Sequence, residues 1–161
     1  MLGELDRAEI ARRLPHAGSM SLLDRVLTCN ESGIRCSATS HQDPDNPLRG
    51  ERGLDALAGI EYAAQAAALH GSLLHETATP RNGALAAVKN VVIAKEWLSD
   101  AGDELLIDAT LLHGDPAGGI FSFAVHAVNG AAKGVANSGE TTILIGQFTL
   151  MFVDNIPRSP S

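Results

Sequence analysis

The sequence predicts an α+β domain in which a strongly curved antiparallel sheet wraps around one long apolar helix. Two observations lead there. From Leu54 to about Glu76 the chain reads LDALAGIEYAAQAAALHGSLLHE, a helix of roughly 20 residues or about 30 Å with no polar face. A helix that is apolar all round must be buried on most sides. The rest of the chain is dominated by strand-like segments, so the covering layer is a sheet. The alanines at 58, 63, 64, 66, 67 and 68 let strands approach that helix closely.

In chain order, Glu4 to Arg13 is helix-friendly, and Leu14-Pro15 ends it, because a proline disfavours the helical conformation in the residue before it. Met20 to Cys29 and Ile34 to Ser40 read as strands around the turn Glu31-Ser32-Gly33. If Ser32-Gly33 is a two-residue loop, Cys29 lies opposite Cys36. His41 to Gly53, HQDPDNPLRGERG, is a loop of about a dozen residues, a length that is often functional. After the helix and the break Thr79 to Gly83 come four strand segments: Ala84 to Trp97, Glu104 to His113, Gly119 to Asn129 and Glu140 to Val153. The tail DNIPRSPS is polar and proline-containing, hence expected to fray.

With 161 residues, 45% apolar and 19% charged, residues 1–161 form a single domain of ordinary composition. The net charge of −7 argues against a general nucleic-acid or anionic-membrane surface. No run reaches the roughly 18 apolar residues that a membrane span requires, and the start lacks the layout of a secretory signal. A cytoplasmic protein is expected. Its two cysteines form no C-x-x-C pair and are expected to stay thiols, and no metal-site spacing is present.

Glu61 and Gln65 stand out, because they share one face of an otherwise apolar helix at a spacing of four residues. A carboxylate buried there needs a partner or a raised pKa, and perturbed carboxylates concentrate at functional sites. A structural Glu61–Gln65 pair at a dimer seam explains the same spacing.

Two segments carry a family resemblance. Leu14-Pro15-His16-Ala17-Gly18-Ser19-Met20-Ser21-Leu22-Leu23-Asp24-Arg25-Val26 and Ala58-Gly59-Ile60-Glu61-Tyr62-Ala63-Ala64-Gln65-Ala66 resemble, in the same order, the opening and the central helix of β-hydroxyacyl-acyl-carrier-protein dehydratases. The likeness is closer still to the dehydratase-like proteins of aryl-polyene-type biosynthetic clusters. That resemblance implies a hot-dog fold, a catalytic role for Glu61 and a dimer whose histidine and glutamate come from opposite subunits. It also implies a substrate carried on the phosphopantetheine arm of an acyl carrier protein, as in fatty acid or polyketide-type biosynthesis, with no cofactor and no metal. The general dehydratases keep their catalytic histidine in a compact loop ahead of the glutamate. Here His41 matches in type and order, but it lies 61 − 41 = 20 residues ahead of Glu61, farther than in that pattern. His16, in the opening motif, is the second candidate.

Dehydration removes a proton α to the thioester carbonyl and expels the 3-hydroxyl, so a base and an acid must face one carbon–carbon bond. Histidine suits the base because its pKa lies near operating pH. Glu61, buried near the middle of the helix with its pKa raised, suits the acid. Donors for the carbonyl are expected from the glycine-containing approach to the helix at Gly53 and Leu54. Gln65 is expected to bind substrate, and Arg12, Arg13, Arg49 and Arg52 to offer a local patch for an acidic carrier. His70, His75, His113 and His126 are read as packing or surface residues. Two other functions compete: acyl-thioester hydrolysis, which the fold equally hosts, and a non-catalytic acyl-binding subunit that lends only Glu61 to a mixed dimer.

Overall fold

A computed structural model of the chain describes residues 3–14, 20–75, 82–129 and 139–153. His16, the segment Thr79 to Arg81 and the tail beyond Val153 lie outside them. The elements are α1 (Arg7–Arg13), β1 (Arg25–Asn30), β2 (Gly33–Ala38), α2 (Gly59–His75), β3 (Asn82–Ile93), β4 (Glu104–Asp115), β5 (Gly118–Val128) and β6 (Thr141–Val153). The six strands form one sheet in the order β1-β2-β4-β5-β6-β3, every pair antiparallel. This sheet wraps α2, and the arrangement is the hot-dog fold.

The core is the helix–sheet interface. Residues 118–128 alternate in burial, which turns Phe121, Phe123, Val125 and Ala127 toward the helix. Against them α2 presents Tyr62, Ala63, Ala66, Ala67 and Leu69, all fully buried. Close approach is built in at Gly59, where an added Cβ would stand 2.7 Å from Leu144 Cδ2 and 3.2 Å from Val125 Cγ2.

Several boundaries differ from the sequence expectation for identifiable reasons. The first helix starts at Arg7, not Glu4, because Asp6 and Glu9 form a reciprocal capping box. Strand β1 starts at Arg25, not Met20. Of the peptide groups ahead of it, Asp24 N–H still reaches Ser37 of β2, but those at Met20 and Leu22 are held by side chains: Gln65 takes the Leu22 N–H and the Met20 carbonyl, and Ser40 takes the Leu22 carbonyl. The long helix starts at Gly59, since Asp55 caps a separate 3₁₀ turn at Ala56–Ala58.

The hairpin register also corrects the expectation for the cysteines. Asn30 pairs with Gly33, so Glu31 and Ser32 form the loop and Cys29 faces Ile34. Asn30 Oδ1 accepts the N–H groups of Ser32 and Gly33, which fixes the turn one residue earlier. A register shift between Val26 and Thr28 then places Cys36 opposite Val26. Both cysteines are free, buried thiols, and burial pushes both above the ordinary thiol pKa.

Candidate active site

Glu61 lies in the first turn of α2 and is half-buried, which corrects the expectation of a buried group near the helix middle. The later start of the helix is the cause. A position in the first turn suits a carboxylate, because the positive end of the helix dipole is there. Glu61 opens into a hollow of about 220 Å³ lined otherwise by Ala64, Gln65, Ala68, Gly83, Leu85 and Leu150. Gln65 Nε2 donates to Glu61 Oε1 at 3.4 Å.

Gln65 itself is fully buried and its amide is spent inside the chain. Its Oε1 accepts the Leu22 N–H at 3.1 Å, and its Nε2 donates to the Met20 carbonyl at 2.8 Å as well as to Glu61. It lines the hollow, yet its hydrogen bonds make it a holder of Glu61 and of the segment ahead of β1.

His41 is fully buried in a short 3₁₀ turn, Ser40–Gln42, that follows β2. Its Nε2 lies 2.7 Å from the Gly102 carbonyl oxygen, which can only accept, so Nε2 carries the proton. Nδ1 is thereby left with a lone pair, and it is buried without a hydrogen-bond partner among the described residues. Burial pushes the imidazole below the ordinary histidine pKa, outweighing the Gly102 carbonyl and the carboxylates of Asp24, Asp103 and Glu104 that pull it upward. The result is a neutral imidazole with a basic nitrogen. Within this chain His41 is not among the residues that line the hollow at Glu61.

Gly53 and Leu54 do not offer the donors expected of them. The Gly53 N–H is bonded to the Gly50 carbonyl at 3.2 Å, and the Leu54 N–H to Ser99 Oγ at 3.2 Å. Gly53 serves the turn, with φ at +124° and Ser99 Oγ only 2.6 Å from where a Cβ would stand. Of the four arginines, Arg12 and Arg52 are exposed and Arg13 is half-buried, whereas Arg49 turns inward to the carbonyl of His41 at 3.5 Å.

Three polar residues escaped the sequence reading: Ser40, Asn46 and Tyr62. They join through the fully buried Tyr62 hydroxyl, 2.7 Å from Ser40 Oγ and 3.1 Å from Asn46 Nδ2. The signal was available, since Tyr62 is the chain's only tyrosine and sits in an apolar helix, where a buried phenol needs a partner. The histidines read as bland behave variously. His70 is buried, bonded to the Asn30 carbonyl at 2.8 Å and edge-on to Phe121, while His126 joins Asp108 and Thr142 on the sheet.

Four exposed apolar side chains lie on β3, and Ile145 and Met151 on the adjoining β6 are exposed as well. Leu85, Val88, Val92 and Ile93 are 38–57% exposed, and β3 is an end strand with one edge unpaired among the described residues. Leu85 and Gly83 are also walls of the Glu61 hollow.

Comparison with known proteins agrees with this architecture. No curated protein sequence matches the chain. Among solved structures it is similar to the dehydratase heterocomplex ApeI:P from Xenorhabdus doucetiae, at 21% identity over 91% of each chain with a TM-score of 0.72. It is also similar to a thioesterase family protein from Silicibacter pomeroyi, at 14% identity over 81% of this chain and 84% of that one, TM-score 0.55. A thioesterase from Staphylococcus aureus matches at 13% identity over 80% and 92%, TM-score 0.54. At these identities the likeness establishes the hot-dog fold. The profile of the ApeP-like family, described as ApeP dehydratase, matches residues 8–144, and the chain therefore belongs to the ApeP-like dehydratase family.

Proposed function

We propose that this dehydratase-family chain removes water from 3-hydroxyacyl thioesters delivered on the phosphopantetheine arm of an acyl carrier protein, as in aryl-polyene-type biosynthesis. The observation that carries the reading is Glu61, a carboxylate held by Gln65 at the mouth of an otherwise apolar hollow. In the proposed step a neutral histidine takes the proton α to the carbonyl. The electron pair left behind forms the carbon–carbon double bond, the C3–O bond breaks, and Glu61 protonates the departing hydroxyl, so that enoyl thioester and water result. His41 is ranked ahead of His16 as the base, since it occupies the loop that leads into the helix, and its Nδ1 has no hydrogen-bond partner among the described residues.

The site is completed by a second subunit. Gly83 and Leu85 belong both to the Glu61 hollow and to the exposed apolar strand β3, so a chain docking there would close the hollow from outside. An exposed, apolar strand edge is a surface that proteins cover. The solved relative is a heterocomplex, which favours a mixed dimer with a related hot-dog subunit over a homodimer. Arg12 and Arg52 remain exposed for an acidic carrier.

The test is to incubate the purified protein, alone and with a co-expressed hot-dog partner, with a 3-hydroxyacyl and a saturated acyl thioester. Enoyl product from the first supports the reading. Free thiol from either substrate, without enoyl product, assigns the chain to thioester hydrolysis instead.

A further inference from the structure

We propose that Tyr62 is a positioning residue for the dehydration, its buried hydroxyl clamping the His41 turn to α2, the helix that carries Glu61. The inference rests on the proposed function and adds a residue to its machinery.

Hydrogen-bond directions follow from proton counting. Ser40 Oγ donates its single proton to the Leu22 carbonyl at 2.8 Å. At the Tyr62–Ser40 contact of 2.7 Å, Tyr62 must therefore be the donor. Burial pushes the Tyr62 pKa upward, against the pull of its Ser40 and Asn46 hydrogen bonds, which keeps the phenol protonated for that role. Its oxygen then accepts from Asn46 Nδ2 at 3.1 Å, and Asn46 Nδ2 also donates to the Ser40 carbonyl at 2.8 Å. Ser40 and Asn46 bracket His41 in sequence, so Tyr62 grips its turn on both sides. Beyond the carbonyl that Ser40 holds, the Leu22 N–H, in the preceding peptide group, donates to Gln65 Oε1, and Gln65 Nε2 reaches Glu61. Within this chain the His41 turn and Glu61 are thus joined both through Leu22 and Gln65 and, directly, by the tie of Tyr62 to the turn.

The ring of Tyr62 belongs to the core, and phenylalanine would fill that space equally well. The hydroxyl is what ties both sides of the turn, through Ser40 and Asn46, to α2, the helix that carries Glu61. Without it Ser40 keeps the Leu22 carbonyl and Asn46 keeps the Ser40 carbonyl, so the fold survives while the His41 turn loosens. Misplacing a reacting group by about 1 Å costs up to about 100-fold. A loosened turn also admits water to His41 and relieves the burial that depresses its basicity. The groups that act on it, the Gly102 carbonyl, Asp24 ahead of β1, Asp103 and Glu104 at the start of β4, and the Arg49 guanidinium on its own carbonyl, otherwise stay in place.

The experiment measures steady-state dehydration of a 3-hydroxyacyl phosphopantetheine thioester from pH 5 to 9, with the partner subunit present, for wild type, Tyr62→Phe, Asn46→Ala and His41→Ala. Tyr62→Phe is expected to lose about 10–100-fold in kcat, with KM nearly unchanged and the acid limb of kcat/KM moved to higher pH. Asn46→Ala, which breaks the same clamp at its other end, is expected to shift the limb in the same direction. Unchanged kcat in Tyr62→Phe, or a loss with the acid limb unmoved in both variants, overturns the inference. If His41→Ala turns over normally, the assignment of the base fails first, and the role of Tyr62 fails with it.

Discussion

Replacing Gln65 with leucine keeps the volume of the buried side chain but removes hydrogen bonds to Leu22, Met20 and Glu61. The Leu22 N–H suffers most, because Leu22 is fully buried and water cannot take the place of the lost acceptor. A stranded buried donor costs about 1–3 kcal/mol. The Met20 carbonyl is half-buried and can recruit water, and the leucine side chain returns part of the loss through apolar burial. The net expectation is a destabilisation of about 1–2 kcal/mol, or a drop in Tm of about 2–8 °C for a domain of this size. Thermal unfolding at matched protomer concentration reads it, since dimerisation makes Tm concentration-dependent. Gln65→Glu restores the acceptor for Leu22 but sets a second carboxylate against Glu61, so its loss should exceed that of Gln65→Leu at neutral pH and shrink on acidification. A Tm unchanged by Gln65→Leu would refute the role given to this amide.

Burial lowers the pKa of both His41 and His70 in the folded chain, so the unfolded chain binds protons first as pH falls below the ordinary histidine value of about 6.5. Urea midpoints should therefore be lower at pH 5.5 than at pH 7.5, with the difference reduced in His70→Gln; equal midpoints would contradict the burial argument. Asp108 adds a second acid-labile contribution: the hydrogen bonds from His126 and Arg35 outweigh the opposing effect of burial and hold its carboxyl at about 2, so its stabilisation is lost as pH falls from about 3.8 toward that value. Asp108→Asn should flatten that lower window in the same titration. Anaerobic thiol titration should find Cys29 and Cys36 unreactive in the native protein and both reactive after unfolding, whereas rapid native reaction would show that the hairpin opens readily.

Much of the fold was legible because periodicity and composition act locally. An Ala-rich segment with no polar face leaves only burial under a sheet, and the alternation of Phe121, Phe123 and Val125 gives the inner face of β5 directly. What escaped depends on side chains meeting across long sequence separations. The segment Met20 to Asp24 reads as strand by its apolar residues, but Gln65, more than 40 positions later, takes its peptide groups. The cysteine register turned on a single side chain, Asn30, that moves the hairpin loop by one residue. At the site, Glu61 and Gln65 were visible as polar exceptions on an apolar helix. The spent N–H groups of Gly53 and Leu54 were not, because their acceptors, Gly50 and Ser99, are set by the folded loop.

The central claim is that Glu61 acts on the leaving hydroxyl. Glu61→Gln is nearly isosteric and keeps a hydrogen-bonding group beside Gln65, but it cannot donate a proton as an acid. The direct measurement is the rate of enoyl-thioester formation from a 3-hydroxyacyl thioester by the Glu61→Gln protein, with Tm and oligomeric state matched to wild type. A loss of about 10²–10⁴-fold is expected for removal of a general acid. Turnover retained within a few-fold of wild type, in a correctly folded protein, would contradict the account.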